Sequence, residues 1–208
     1  MIISFSGIDG SGKTTQALWL LSYLQRQNIN VKYIHIINWS LMNKLGRKFY
    51  KTRRNKQKEF SKTIDRGISV SIFLRKIVLF IDIFRYYFFI RFNRANQIII
   101  FDRFFYDLGI QAVYKGIMGK NLEFIYWKIV PKPTHPIFLD IPPRTAFHRE
   151  GEHSLEYFRS KRNLYIQRIK LWGIKKIEVS DLNKTFSDIL KLLPLNQTTF
   201  SYNLFKNE

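Results

Sequence analysis

The stretch IISFSGIDGSGKTTQ, residues 2–16, places a glycine-rich motif between an apolar run and a helix-like run. Its residues 7–14, GIDGSGKT, match the pattern G-x-x-x-x-G-K-[ST] in full. Glycines allow a tight turn whose amide groups point into one concavity, and a helix beginning near Lys13 adds the positive end of its dipole. The stretch therefore predicts a strand, a phosphate-binding loop and a helix rather than a chance glycine-rich turn.

The residue types of this loop suit nucleoside triphosphate chemistry. Lys13 supplies a mobile positive charge for the β- and γ-phosphates of ATP, and the Thr14 hydroxyl is an oxygen ligand that suits Mg²⁺. We predict that ATP is bound by the following residues: Gly7, Asp9, Gly10, Ser11, Gly12, Lys13, Thr14 and Thr15.

The composition fits one folded α/β domain. The chain has 208 residues, of which 46% are hydrophobic and 16% aromatic, enough for a sizeable core. It contains no cysteine, which excludes disulfides and thiolate metal sites and makes a cytoplasmic location the simpler expectation. Because Met1 leads directly into the first strand, we expect no signal peptide.

The formal net charge of +20 exceeds what nucleotide binding requires. It suggests a weak anionic partner such as nucleic acid or lipid headgroups, whereas a coding sequence rich in A and T is the simpler alternative. Much of the charge is concentrated in residues 44–58. We interpret this basic segment as a solvated face or flexible insertion, or as an anion-binding surface at the mouth of the site.

Strand-like runs alternate with helix-like runs, which is typical of a doubly wound parallel sheet. After the first strand, we predict strands over residues 31–37, 97–101, 135–140 and 176–180. We predict helices over residues 14–27, 68–94, 106–114, 145–172 with a break at Gly151, and 185–193. The domain is expected to span residues 1–195, and residues 196–208 to form a loose tail.

Residues 68–94 form a long apolar run that charged side chains interrupt. A transmembrane helix requires about 20 mostly uncharged residues, so we expect no transmembrane segment. We predict one or two long helices beside the sheet, which carry Asp82 and Arg85 towards the site. A helix lying on a membrane surface is an alternative interpretation.

Asp102 directly follows the near-continuous apolar run at residues 97–101. Such a run is typical of a strand buried on both faces, and ligands bind at the carboxyl ends of strands in open α/β sheets. The Asp102 carboxylate is therefore placed to hold a Mg²⁺-bound water, with a helix N-cap as the alternative. We predict a metal site formed by Thr14 and Asp102.

Four segments together resemble the thymidylate kinase family of P-loop nucleoside-monophosphate kinases. They are SGIDGSGKTTQ at 6–16, FDRFFYD at 101–107, FLDIPPRTAFHR at 138–149 and LEYFRSKRNLY at 155–165. The resemblance implies an α/β P-loop NTPase fold: a five-stranded parallel sheet in the order 2-3-1-4-5, flanked by helices, with a short lid. It also implies phosphoryl transfer that depends on ATP and Mg²⁺, with dTMP as the first acceptor to consider, and a homodimer.

The resemblance assigns catalytic roles at matching positions. Lys13 would contact the ATP phosphates, and Asp102 would support Mg²⁺ through water. Arg103 would hold the acceptor phosphate in line. Arg149, in the lid, would reach across the transferring phosphoryl group and supply its cation.

The same resemblance assigns acceptor contacts, each with a structural alternative. Asp9 would lie near the 3′-hydroxyl of the acceptor, or it could pair with Arg103. Arg85 would face the acceptor base or phosphate, or it could pair with Asp82 three residues earlier on the same helical face. Phe104 would stack on the base, or it could belong to the core.

The acceptor segments also depart from the family pattern. INWSLMNKLGRKF, residues 37–49, contains neither the Glu-Pro-Gly nor the Phe-Pro-x-Arg element. Asp107 stands where a serine is common, and Arg103 could pair with it or with Asp82. These departures leave another nucleotide, a nucleoside or a small metabolite as an alternative acceptor. A further alternative is a P-loop protein that binds nucleic acid or an anionic surface without catalysis.

Overall fold

The computed structural model describes residues 1–41, 64–93 and 97–195, with the main chain alone over 64–72. The basic segment 44–58 and the predicted tail 196–208 therefore lie outside the described residues. The interpretation given to each segment stays a prediction. The domain boundary at residue 195 stays a prediction.

Five parallel strands form one sheet in the order β2-β3-β1-β4-β5. The strands are β1 (Ile2–Ser6), β2 (Val31–His35), β3 (Ile98–Asp102), β4 (His135–Asp140) and β5 (Lys175–Glu178). This order confirms the predicted topology. β1 lies at the centre and every one of its residues is buried, because strands cover both edges and helices cover both faces.

Helices connect these strands on both faces of the sheet. They are α1 (Lys13–Arg26), α2 (Ile36–Trp39), α3 (Ile64–Asn93), α4 (Phe105–Tyr114), α5 (Lys120–Ile129), α6 (Pro143–Glu150), α7 (Leu155–Trp172) and α8 (Leu182–Leu192). The predicted break in the helical run 145–172 is present, since α6 ends at Gly151 with φ 66°.

Two helices differ from the sequence predictions. α2 replaces the end of the strand predicted over 31–37, because β2 stops at His35, where its partner β3 also ends. α5 was not predicted. Tyr126 is its one fully buried residue, and Phe124 and Ile125 are exposed, so most of this amphipathic helix lies at the surface.

The alternation of side chains along β1 divides the core into two layers. Ile3 and Phe5 pack with α1 and α8, whereas Ile2 packs with the helices on the opposite face, which include α3, α4 and α7. Both layers end at the carboxyl edge of the sheet. The loop after β1 therefore opens at the centre of that edge.

α3 is a single long helix, in agreement with one of the two predicted forms. Its core-facing side chains recur with helical spacing at Leu79, Ile83, Tyr86 and Ile90. None of the helices within residues 1–41, 64–93 and 97–195 is long and apolar enough to cross a membrane.

Candidate active site

The phosphate loop lies between the end of β1 and the first residue of α1, as predicted. Gly7 has φ 154°, and a Cβ at this position would lie 2.7 Å from the Leu139 carbonyl oxygen. Gly12, the residue before α1, has φ 83°, a conformation that side chains with a Cβ rarely adopt. Glycine is therefore required at position 7 because there is no room for a Cβ, and at position 12 because of the backbone conformation.

Lys13 is buried against this loop rather than extended into solvent. Its Nζ donates to the carbonyl oxygens of Gly7 at 3.0 Å and Ile8 at 2.7 Å, and to Ser11 Oγ at 3.4 Å. Burial, together with the nearby Arg103 charge, lowers the pKa of Lys13 to about 8. The ammonium group thus remains mostly charged at neutral pH inside the loop.

Thr14 and Asp102, the two residues of the predicted metal site, are in direct contact. Thr14 Oγ1 donates to Asp102 Oδ2 at 2.7 Å, and Tyr33 donates to the same oxygen at 2.8 Å. The other carboxylate oxygen, Oδ1, is buried and has no hydrogen-bond partner among the described residues. A buried carboxylate oxygen beside a hydroxyl fits the oxygen ligands and bound waters that Mg²⁺ prefers.

The N-cap alternative for Asp102 does not fit this geometry. Phe104, two residues after Asp102, holds the N-cap position of α4, and its backbone N–H donates to Asp107 Oδ2 at 2.8 Å. Asp102 belongs to the end of β3, where its neighbour across the sheet is His35 of β2. His35 Nε2 lies 3.5 Å from Asp102 Oδ2, so two strand ends converge on this carboxylate.

Asp9 is the centre of a charged cluster beside the loop. Its Oδ1 accepts from Arg103 Nη2 at 2.7 Å, and its Oδ2 accepts from Tyr157 at 2.9 Å and from Lys161 at 3.4 Å. Burial alone would raise the pKa of Asp9, but Lys161, Arg103 and Lys13 outweigh it and hold that pKa well below its usual range. Asp9 is therefore an ionised carboxylate with cations on both oxygens.

Asp107 forms a second buried anchor under the loop. Its carboxylate accepts hydrogen bonds from the Ser6 hydroxyl at 2.7 Å and from the Tyr165 hydroxyl at 2.7 Å. It also accepts from the backbone N–H of Gly7 at 3.4 Å. Asp107 thus ties the first residue of the loop to α4 and α7.

Arg149 lies in the last turn of α6, with its side chain exposed. Its Nη1 donates to the Gly10 carbonyl oxygen at 3.2 Å. The predicted lid arginine is therefore next to the phosphate loop.

A family model described as thymidylate kinase matches residues 5–178, which include the loop, Asp102, Arg103, Arg149 and Lys161. The chain belongs to the thymidylate kinase family. This membership agrees with the resemblance noted from the sequence.

Curated members of the thymidylate kinase family are similar to most of the chain. A probable thymidylate kinase of Methanobrevibacter smithii is 28% identical over 197 residues, covering 92% of this chain and 93% of the relative. A probable thymidylate kinase of Archaeoglobus fulgidus is 25% identical over 177 residues, covering 80% of this chain and 81% of the relative.

Two solved structures share the fold of this thymidylate kinase family member. A thymidylate kinase from Ehrlichia chaffeensis has a TM-score of 0.58 at 19% identity, with 92% of this chain and 97% of that chain covered. A deoxyadenosine kinase from M. mycoides has a TM-score of 0.55 at 14% identity, with the same coverage. These similarities identify a P-loop kinase fold and nothing finer.

The two remaining acceptor residues predicted for this family member make internal contacts. Arg85 Nη1 lies 2.7 Å from Asp82 Oδ1, and its guanidinium lies 4.6 Å from the ring centroid of Trp39. Phe104 is fully buried and packs against Tyr86. The Asp82 alternative for Arg85 is therefore present, and Phe104 has no exposed face for an acceptor base.

Four side chains of this site were not assigned to it from the sequence: Tyr33, His35, Tyr157 and Lys161. The sequence contained a usable signal for the first two, because a 2-3-1-4-5 sheet places the ends of β2 and β3 side by side. Tyr157 and Lys161 are four residues apart on α7 and share one helical face. No sequence feature indicated that this face lies over Asp9.

Proposed function

We propose that the protein transfers the γ-phosphoryl group of ATP to dTMP, producing dTDP and ADP. The observation that carries this proposal is the pairing of Arg103 with Asp9 of the phosphate loop, 2.7 Å apart, in a member of the thymidylate kinase family. This pairing supports Arg103 as the cation that binds the acceptor phosphate, directly beside the loop that binds ATP. The lack of cysteine supports a cytoplasmic setting for this activity.

On the donor side, the reaction requires alignment and neutralisation of phosphate charge. The loop amides and Lys13 bind the ATP phosphates in this proposal, and the exposed first-turn residue Thr15 adds a hydroxyl beside them. Thr14 and Asp102 would hold Mg²⁺, which would neutralise charge on the ATP phosphates. The free Oδ1 of Asp102 supports this assignment.

On the acceptor side, Arg103 binds the phosphate and Asp9 binds the sugar in this proposal. Within the described residues, Nη2 is the Arg103 atom with a hydrogen-bond partner, so the other guanidinium donors can take the acceptor phosphate. The ionised Asp9 accepts a hydrogen bond from the sugar 3′-hydroxyl. Arg103 has φ 64°, a strained conformation for a residue with a side chain, and such strain is common at binding sites.

The acceptor is tested with a panel of nucleoside monophosphates and nucleosides, with ATP and Mg²⁺, by following ADP release. We expect dTMP to have the highest kcat/KM, because the family model and the similar relatives are thymidylate kinases. We expect nucleosides to be poor acceptors, because the cluster provides partners for an acceptor phosphate as well as for a sugar hydroxyl. A higher kcat/KM for another nucleotide or for a nucleoside would contradict the dTMP assignment while retaining a kinase. Absence of acceptor-dependent ADP release throughout the panel would contradict the kinase itself.

We further propose a homodimer formed through the outer face of α3. Opposite its core-facing residues, α3 exposes a row of large apolar side chains: Phe73, Ile77, Ile81, Phe84, Phe88 and Phe92. Their spacing of three, four or seven positions forms one continuous stripe. Contiguous apolar surface of this kind marks association, and a long helix can pack its stripe against an identical copy.

The dimer is tested by light scattering coupled to gel filtration. We expect the wild type to have twice the monomer mass and Phe84→Asp to have the monomer mass, because a charge in the stripe would be buried without a partner. Phe124→Asp, which alters a similarly exposed residue on α5, serves as the control and should remain dimeric. A monomeric wild type would contradict the proposal.

A further inference from the structure

Lys161 is a buried lysine that the functions assigned above do not use. It lies on α7 and is 5% exposed. Its Nζ donates to the Tyr157 hydroxyl at 2.9 Å and lies 3.4 Å from Asp9 Oδ2. Burial of an ammonium group costs free energy unless nearby groups compensate for it. Asp9 and Tyr157 provide part of that compensation here, although burial still lowers the pKa of Lys161.

The charged groups on the acceptor side indicate how Lys161 affects the electrostatics of the site. Two buried or partly buried carboxylates, Asp9 and Asp107, act on the Arg103 guanidinium and raise its pKa, although burial by itself would lower it. The same two carboxylates act on Lys161. Lys13 also acts on both carboxylates, but its ammonium group donates to the loop carbonyls, whereas Arg103 and Lys161 hydrogen-bond to Asp9 directly. Without Lys161, Arg103 would be the one cation hydrogen-bonded to Asp9 among the described residues.

These positive charges affect how well the site accommodates the negative charge of the acceptor. A phosphate monoester carries nearly two negative charges at neutral pH, and like charges in a partly buried site repel strongly. With Lys161 present, Asp9 keeps a cation on Oδ2 while Arg103 turns its remaining donors to the acceptor phosphate. With Lys161 absent, Arg103 would have to contact both Asp9 and the incoming dianion without a second cation on Asp9.

We propose that Lys161 determines specificity for phosphorylated acceptors over neutral nucleosides, by neutralising Asp9 when Arg103 binds the acceptor phosphate. This proposal rests on the proposed function, because it assumes that the acceptor phosphate meets Arg103. Lys161 is a positioning residue in this scheme: it acts on the acceptor through Asp9 and Arg103. Its effect should therefore depend on the charge of the ligand.

The test compares dTMP with thymidine in binding to Lys161→Met, measured by calorimetry without ATP. We expect the affinity for dTMP to fall by about 10- to 100-fold, the range for loss of a charged hydrogen-bonding partner. Affinity for thymidine should change by less than about twofold, as for substitutions that leave a ligand's contacts in place. Arg159→Met, an exposed cation on the same helix, should bind both ligands as the wild type does.

A second variant covers the possibility that methionine disturbs the fold. Lys161→Arg retains the charge, and we expect it to keep the preference for dTMP even if its melting temperature falls. Equal losses for dTMP and thymidine in Lys161→Met, or unchanged binding of dTMP, would overturn the proposal. Failure of the wild type to phosphorylate dTMP is a separate result, which would contradict the proposed function and this inference with it.

Discussion

Lys13→Met abolishes phosphoryl transfer and leaves the fold intact: we expect kcat/KM for dTMP to fall by about a thousandfold or more. Methionine has nearly the length of lysine, so the substitution removes the charge that we propose contacts the ATP phosphates and little of the packing volume. The far-ultraviolet circular dichroism spectrum should match that of the wild type. Steady-state kinetics with coupled detection of ADP measures the loss.

The control for this experiment is Lys170→Met, which removes one positive charge at an exposed position on α7. We expect it to retain wild-type turnover, because the general field of a chain with net charge +20 changes little when one surface lysine is lost. If Lys13→Met retained more than about a tenth of the wild-type rate, the role of this lysine in catalysis would be wrong.

Arg149→Ala should produce the second large effect, and on a different kinetic constant. Arg149 is exposed and contacts the loop through one backbone oxygen of Gly10, so it adds little to the resting structure. In the proposed reaction, the charge of Arg149 stabilises the negative charge that spreads over the transferring phosphoryl group. We expect kcat to fall by about a thousandfold, as for arginines that act in this way in other P-loop enzymes, with a small change in the KM for ATP.

Arg159→Ala provides the comparison, since this arginine is also exposed and lies beyond the lid on α7. Its pair with Glu156, at 4.0 Å, is a surface contact of little energetic value. We expect unchanged kinetics. If Arg149→Ala kept its kcat and raised the KM for ATP instead, Arg149 would bind ground-state ATP, and the transferring group would receive its cation from another residue.

Much of the donor site could be predicted because its residues are close together in the sequence or at strand ends. The motif at residues 7–14 specifies both the loop and the start of α1. Asp102 follows from the rule that ligands bind at the carboxyl ends of parallel strands, and its bond to Thr14 agrees with that rule. Here local pattern and general topology were sufficient.

The acceptor side could not be predicted to the same depth. Tyr157 and Lys161 reach Asp9 from 148 and 152 residues away, and that distance is bridged by the docking of α7 against α4 and α6. α7 carries charged residues on several faces, so its apolar period does not decide which lysine turns inward. Phe104 illustrates a second difficulty. An aromatic residue after a strand end can bind a ligand or belong to the core, and the packing of the folded chain determines which of the two it does.

The buried Asp107 has a consequence for the order in which the protein gains structure. It holds Ser6 across 101 residues of chain and Tyr165 across 58, so the base of the phosphate loop is secured only when the first strand, α4 and α7 have all come together. Contacts between such distant residues form late and slowly in folding. The base of the phosphate loop is therefore part of the cooperative unit of the whole domain, and the Gly7 amide proton, which donates to Asp107, should exchange with solvent through global unfolding rather than by local fraying.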